Sequence, residues 1–170
     1  DHADAGLYFQ QARALGFDVP HVGQSALTYS QMIDLAGADA LQNLYICVTF
    51  NPYSDRETVK NFMAKFQEIR PNEVPSEPCA GSYDIVKIIA EAMSEGATRE
   101  NLAQWIKNTS PDHTSTFVME EGCTLKSHMV WDEKGDIEPF GCSVLKVSED
   151  GQFVNTDISV DLTGLDLGIN

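Results

Sequence analysis

The first fifty residues move between a helical rhythm and a strand rhythm. Ala5, Tyr8, Phe9, Ala12 and Leu15 recur at steps of three and four, which places them on one helix face, and Gly16 follows as a stop. Val19–Val22 is short and β-prone. Thr28 with Gln31 reads as a capping box for a helix that buries Tyr29, Met32, Ile33 and Ala36 and closes at Gly37. Leu44–Phe50 is a continuous apolar run rich in β-formers, the pattern of a buried strand. Helix, strand, helix, strand at this spacing predicts a parallel α/β sheet.

Asn51-Pro52-Tyr53-Ser54 interrupts the alternation and is the best candidate for a crossing between two bodies. Ser54 with Glu57 forms a second capping-box pattern, and Val59, Phe62, Met63, Phe66 and Ile69 share a face of the helix behind it. Beyond the turn-rich stretch 72–78, a further helix is predicted to turn Tyr83, Val86, Ile89, Ala90 and Met93 inward and to end at Gly96. Thr98 caps a shorter helix carrying Leu102, Trp105 and Ile106. The last third turns to strands at 129–131 and Ser143–Val147. Glu149-Asp150-Gly151 makes a hairpin turn, and Gln152–Asn155 returns from it. Residues 156–170 read as an extended tail with edge-strand character.

Charge narrows the partners. The chain holds 11 Lys+Arg against 26 Asp+Glu, a net charge of −15, which repels a phosphate backbone and argues against nucleic acid. No apolar run reaches the roughly 18 residues of a membrane span. The four cysteines, at 47, 79, 123 and 142, contain no Cys-x-x-Cys pair and the four histidines are scattered, so no metal or cofactor is expected. Cys47 lies in the apolar run and reads as a small buried hydrophobe. Cys123 and Cys142 flank the predicted hairpin and form the candidate disulfide, although sequence does not fix their Cα spacing.

The order of these fragments resembles the type I extracytoplasmic solute-binding proteins of ABC importers, the family of the leucine/isoleucine/valine-binding proteins. Gln10-Gln11-Ala12-Arg13, with Gly16 and Pro20, looks like the family's QAR-x-x-G-x-x-x-P segment, and Leu35-Ala36-Gly37 like its LAG helix end. Phe62 and Phe66 resemble the F-x-x-x-F helix, and Tyr83-Asp84 the YDA motif, with Ile85 in place of alanine. Trp131-Asp132 through Gly135-Asp136 resembles FD-x-x-GD, and Val147 through Gly151-Gln152-Phe153 resembles V-x-DG-x-F.

This resemblance implies an α/β fold of two Rossmann-like lobes, here incomplete because only the C-terminal half of each lobe is represented. Residues 1–50 and 142–155 are expected in lobe two, 53–138 in lobe one, and 156–170 in a tail without family counterpart. The crossings fall near 49–54 and 136–142. It also implies a function without chemistry: a small polar solute, an amino acid or related organic acid, binds between the lobes and is delivered to an ABC permease in the membrane. The implied location is periplasmic or extracellular, with a lipid anchor compatible. The missing N-terminal half, or a second copy of the chain, is the implied protein partner.

Carried over by position, the ligand-binding candidates are Asp1, His2 and Asp4 before or within the first helix, Gln24 and Ser25 after the first strand, and Cys79 near the cleft mouth beside Pro78. Asp4 reads equally as a helix N-cap. The branched-chain binders place a carboxylate at the position of Ser25 to hold the ligand's ammonium group; a hydroxyl cannot supply that charge, which leaves Asp1 or Asp4 to do so. An enzyme built on Cys79, Asp112 and His113 has no supporting spacing. Two other functions share the fold: a ligand-sensing domain of a receptor or regulator, and an interaction module that binds no solute.

Overall fold

The computed structural model describes residues 2–108, 122–124 and 141–161. The chain divides into two compact units, after Tyr53 and after Gly141. The first holds residues up to Tyr53 together with Cys142–Val160; the second, among the described residues, holds 54–108, 122–124, Gly141 and Asp161.

The first unit is a four-stranded mixed sheet in the order β1-β2-β3-β4, formed by β1 His21–Gln24, β2 Leu44–Val48, β3 Cys142–Val147 and β4 Phe153–Val160. The pair β1–β2 is parallel, as the helix–strand alternation predicts, whereas β3 and β4 are antiparallel to their neighbours. Leu44, Ile46 and Val48 point to one face, joined there by Leu145 and Val147. Helices α1 (His2–Ala14) and α2 (Ser30–Ala36) cover that face with Phe9 and Met32, and Leu41 completes the core. Met32, Leu41 and Ile46 are wholly excluded from water. Gly16, at φ 72°, ends α1 in the left-handed conformation that the sequence assigned to it.

Strand β4 runs to Val160, so residues 156–160 form the outer part of an edge strand; 162–170 lie outside the described residues. Its pairing with β3 shifts register between Ser143 and Leu145. There the Thr156 hydroxyl donates to the Val144 carbonyl (2.6 Å), satisfying an acceptor at the irregularity. Gly151, at φ 75°, makes the predicted turn, closed by Ser148 Oγ on the backbone of Gln152.

The second unit contains α3 (Glu57–Ile69), α4 (Glu77–Ser94) and α5 (Leu102–Lys107). Helix α3 buries Val59 and Phe62 as expected, and Phe62 meets Tyr83 of α4 with ring centroids 5.0 Å apart. Helix α4 departs from expectation. Its buried stripe is Ala80, Asp84, Ile88 and Ala92, while Val86 and Met93, predicted inward, are 65% and 63% exposed.

Neither predicted capping box forms. The Thr28 hydroxyl donates to the Ser25 carbonyl (2.7 Å), and α2 starts only at Ser30. Ser54 Oγ accepts from the Arg56 amide (3.3 Å), and α3 starts at Glu57 with no side-chain cap. The predicted strand at 129–131 and the motif at 131–136 lie outside the described residues.

Arg56 replaces the missing cap with a tertiary contact, its guanidinium donating to the carbonyls of Gly122 (2.8 Å) and Thr124. Two charge-assisted bonds from one planar fork are more than a lysine can reproduce. Arg56→Lys is expected to lower stability by about 1–2 kcal/mol, measured by urea unfolding.

Candidate functional site

Two candidates of the first unit, Gln24 and Ser25, lie where β1 ends. Gln24 is the last residue of β1, and Ser25 opens a short 3-10 turn, Ser25–Leu27, that leads into α2. Helix α1 starts at His2, whose ring lies 5.1 Å from the ring of Tyr29, the residue that precedes α2. The C-terminal end of a parallel strand, where Gln24 and Ser25 lie, is where open α/β sheets take ligands. Gln24 and Asp4 are exposed, while His2 and Ser25 are half-buried.

Asp4 lies inside the first turn of α1, so it is not the N-cap that sequence allowed. A carboxylate there still complements the positive end of the helix dipole. Asp1 lies outside the described residues. Ser25 is fixed through its backbone: its carbonyl accepts from the Thr28 amide (3.0 Å) as well as from the Thr28 hydroxyl.

Cys79 belongs to the second unit, in the first turn of α4, exposed and accepting a hydrogen bond from Ser76 Oγ (3.4 Å). Tyr29 is the residue that sequence reasoning placed wrongly. Assigned to the buried face of α2, it stands ahead of the helix, 36% exposed, its ring tilted against that of His2. A phenol and an imidazole at the rim offer a polar, π-rich contact for a solute.

At the opposite end of β1, a shallow depression is lined by Phe9, Phe17, Val19 and His21. Its rim is closed by Arg13, which ion-pairs with Asp39 (2.9 Å) and Asp18 (3.3 Å), both partners exposed. Asp39 is the chief reason that the Arg13 guanidinium is held above its ordinary range. His21 is ringed by Tyr8, Phe9 and Phe17 and hydrogen-bonded to the Tyr8 hydroxyl (2.9 Å). The depression is a packed end of the core, with its polar groups already matched to one another.

The cysteines do not follow the expected pairing. All four are free thiols. Cys123 is buried against α4, donating to the Ala80 carbonyl (3.2 Å), and Cys142 adjoins Cys47 on the sheet. Burial, aided by the Asp84 carboxylate, raises the Cys123 thiol far above its ordinary range and keeps it protonated. Among the described residues no group of three or more His, Cys, Asp or Glu is placed to hold a metal, and no helix is long and apolar enough to cross a membrane.

These elements are those of the type I periplasmic-binding-protein fold, and solved structures show it. A leucine-binding protein, LivK, from Thermotoga maritima superposes with a TM-score of 0.72 at 19% identity, covering 94% of this chain and 42% of that one. A branched-chain amino acid ABC transporter protein from Rhodospirillum rubrum gives 0.68 at 24% identity, over 91% and 42%. LivJ from Streptococcus pneumoniae, solved in complex with isoleucine, gives 0.65 at 21% identity, again over 91% and 42%. The chain thus spans about two fifths of the length of the structures it resembles. No curated protein sequence matches it.

The family profile described as "Periplasmic binding protein" matches residues 1–124, and the chain belongs to that family.

Proposed function

We propose that this chain is the C-terminal portion of an extracytoplasmic binding protein that captures an amino acid or related small organic acid and hands it to an ABC permease. The observation that carries the reading is the family match over residues 1–124, a stretch that includes Gln24 and Ser25 at the end of β1 and the His2 ring 5.1 Å from that of Tyr29. Cys79, at the start of α4, is the candidate contributed by the second unit. The solute's ammonium group, lacking a carboxylate at Ser25, would rely on Asp4 or Asp1.

The rest of the protein would supply the upstream polypeptide. Strand β1 is a short sheet edge, Val22 within it is 78% exposed, and α4 carries an open apolar face. Such edges and faces call for further chain or a second copy.

The test is thermal melting of the full-length protein against a panel of L-amino acids and small carboxylic acids. A ligand at about one hundred times its Kd adds about 2.7 kcal/mol to stability, seen as a rise of several degrees. Ser25→Ala and Gln24→Ala are expected to weaken such binding about tenfold, since each removes one hydrogen bond to a charged or polar ligand. If no member of the panel raises the midpoint, the transport reading fails in favour of an interaction module.

A further inference from the structure

We propose that β4 is a brace for the passages between the two units, fastened to the outgoing one by the side-chain amides of Asn51 and Asn155. The chain leaves the first unit after Tyr53 and re-enters it at Cys142. Asp161, the residue that follows β4, again falls in the second unit. Each of these three points is tied to β4.

At the outgoing passage the fastening is made by side chains. Asn51 follows the apolar run that holds β2 and is 3% exposed, so both ends of its amide need partners within the protein. Its Nδ2 donates to Asn155 Oδ1 of β4 (2.9 Å), and its Oδ1 accepts from the Tyr53 backbone amide (3.0 Å). The second bond closes a turn over Pro52, whose ring fixes a backbone angle of that turn. The conformation of 51–53 is thereby set from a strand 104 residues further on. Loss of the Asn155 oxygen would leave a buried donor without its acceptor.

At the return passage the fastening is the backbone ladder. Cys142 is the Cα partner of Val160 and Ser143 of Ser159, whereas Leu145 is the partner of Asn155. Thr156, Asp157 and Ile158 therefore stand opposite Val144 alone, an irregularity that lies on β4. Thr156 closes it: its hydroxyl donates to the Val144 carbonyl (2.6 Å) and accepts from the Ile158 amide (3.2 Å). Two extra residues keep the alternation of side chains in phase, and the ladder resumes where the chain enters at Cys142 and departs after Val160. Entry and departure are thus laid side by side. In a protein that closes on a solute, such a brace leaves Ser54 and Gly141, the first residues beyond it, as the places for bending. That consequence rests on the proposed solute binding, whereas the brace itself is tested without solute.

The experiment measures amide hydrogen exchange, residue by residue, by NMR of the isotope-labelled full chain with no ligand added. Asn155→Ala is expected to speed exchange of the Tyr53 amide about tenfold, while the amides of β2 change less than about twofold. Asn155→Ser, too short to reach Asn51, supplies the same comparison if the alanine variant does not fold. Asn155→Asp keeps an oxygen that accepts from Asn51 Nδ2, so its Tyr53 amide should exchange as slowly as in the parent. Thr156→Val should speed exchange at Ile158 and along Cys142–Ser143 and leave Tyr53 unchanged. A Tyr53 amide indifferent to the loss of Asn155, or one that Asn155→Asp fails to protect, would overturn the fastening. Protection lost evenly across β2 and Tyr53 would overturn it too, since the pair would then be ordinary packing. Unchanged exchange along Cys142–Ser143 in Thr156→Val would remove the brace from the return passage.

Discussion

Asp84→Ala is expected to destabilise the second unit by about 3 kcal/mol, the largest loss for any single polar substitution in the chain. The side chain is 2% exposed, and its two oxygens accept the backbone amides of Cys123 (2.9 Å) and Thr124 (3.1 Å). Alanine would leave both amides buried without acceptors, each costing about 1–3 kcal/mol. The same short segment gives its carbonyls to Arg56. Residues 122–124 are therefore gripped on both sides, amides by a carboxylate and carbonyls by a guanidinium, and losing either partner loosens the other. Asp84→Asn keeps one acceptor oxygen but turns an NH2 toward a donor, so it should cost somewhat less. Urea unfolding followed by circular dichroism measures both. Alkylation supplies an independent readout. Cys123, held protonated by burial and by Asp84, should resist iodoacetamide in the parent chain and react in Asp84→Ala, where the carboxylate's contribution is gone.

Asp84 also shows where sequence reading stops. The family, the fold and the parallel pair β1–β2 were legible, because a contiguous apolar run such as Leu44–Phe50 and a glycine stop such as Gly16 act locally. Helix α4 was not. Apolar residues occupy positions 83, 85, 86, 88, 89, 90, 92 and 93, so more than one stripe satisfies a helical period. The stripe that is buried includes an aspartate. It is selected by backbone amides about forty residues away, which no local pattern reveals. The capping boxes failed for a related reason: Thr28 and Ser54 used their oxygens in turns ahead of the helices.

The candidate site was legible only in part. His2, Gln24 and Ser25 came from the resemblance; the structure puts Gln24 and Ser25 at the end of β1 and the His2 ring beside that of Tyr29. Tyr29 was hidden because the failed box shifted the start of α2 by one residue and turned a rim residue into an expected core one. The nearness of Cys47 and Cys142 depends on antiparallel register between strands far apart in sequence. Cys123 and Cys142 looked pairable through proximity in the chain, a weak guide beside burial and strand order.

The two apolar stripes of α4 lead to the second large expected effect. Ile88→Ala should cost about 3 kcal/mol, because Ile88 is 3% exposed among packed neighbours and truncation leaves a cavity. Val86→Ala, two positions along, should change the stability of this chain by less than about 0.5 kcal/mol, since Val86 already meets water. A helix apolar on nearly every side belongs inside a core, so the open stripe of Val86, Ala90 and Met93 reads as a surface shaped for more polypeptide. In the full-length protein the proposed upstream segment would cover it, and Val86→Ala should then cost about 1 kcal/mol or more. Chemical unfolding of each substitution in both backgrounds separates the cases. A Val86→Ala effect that stays near zero in the full-length protein would mean that this stripe faces solvent there too, and the proposed covering of α4 would be lost.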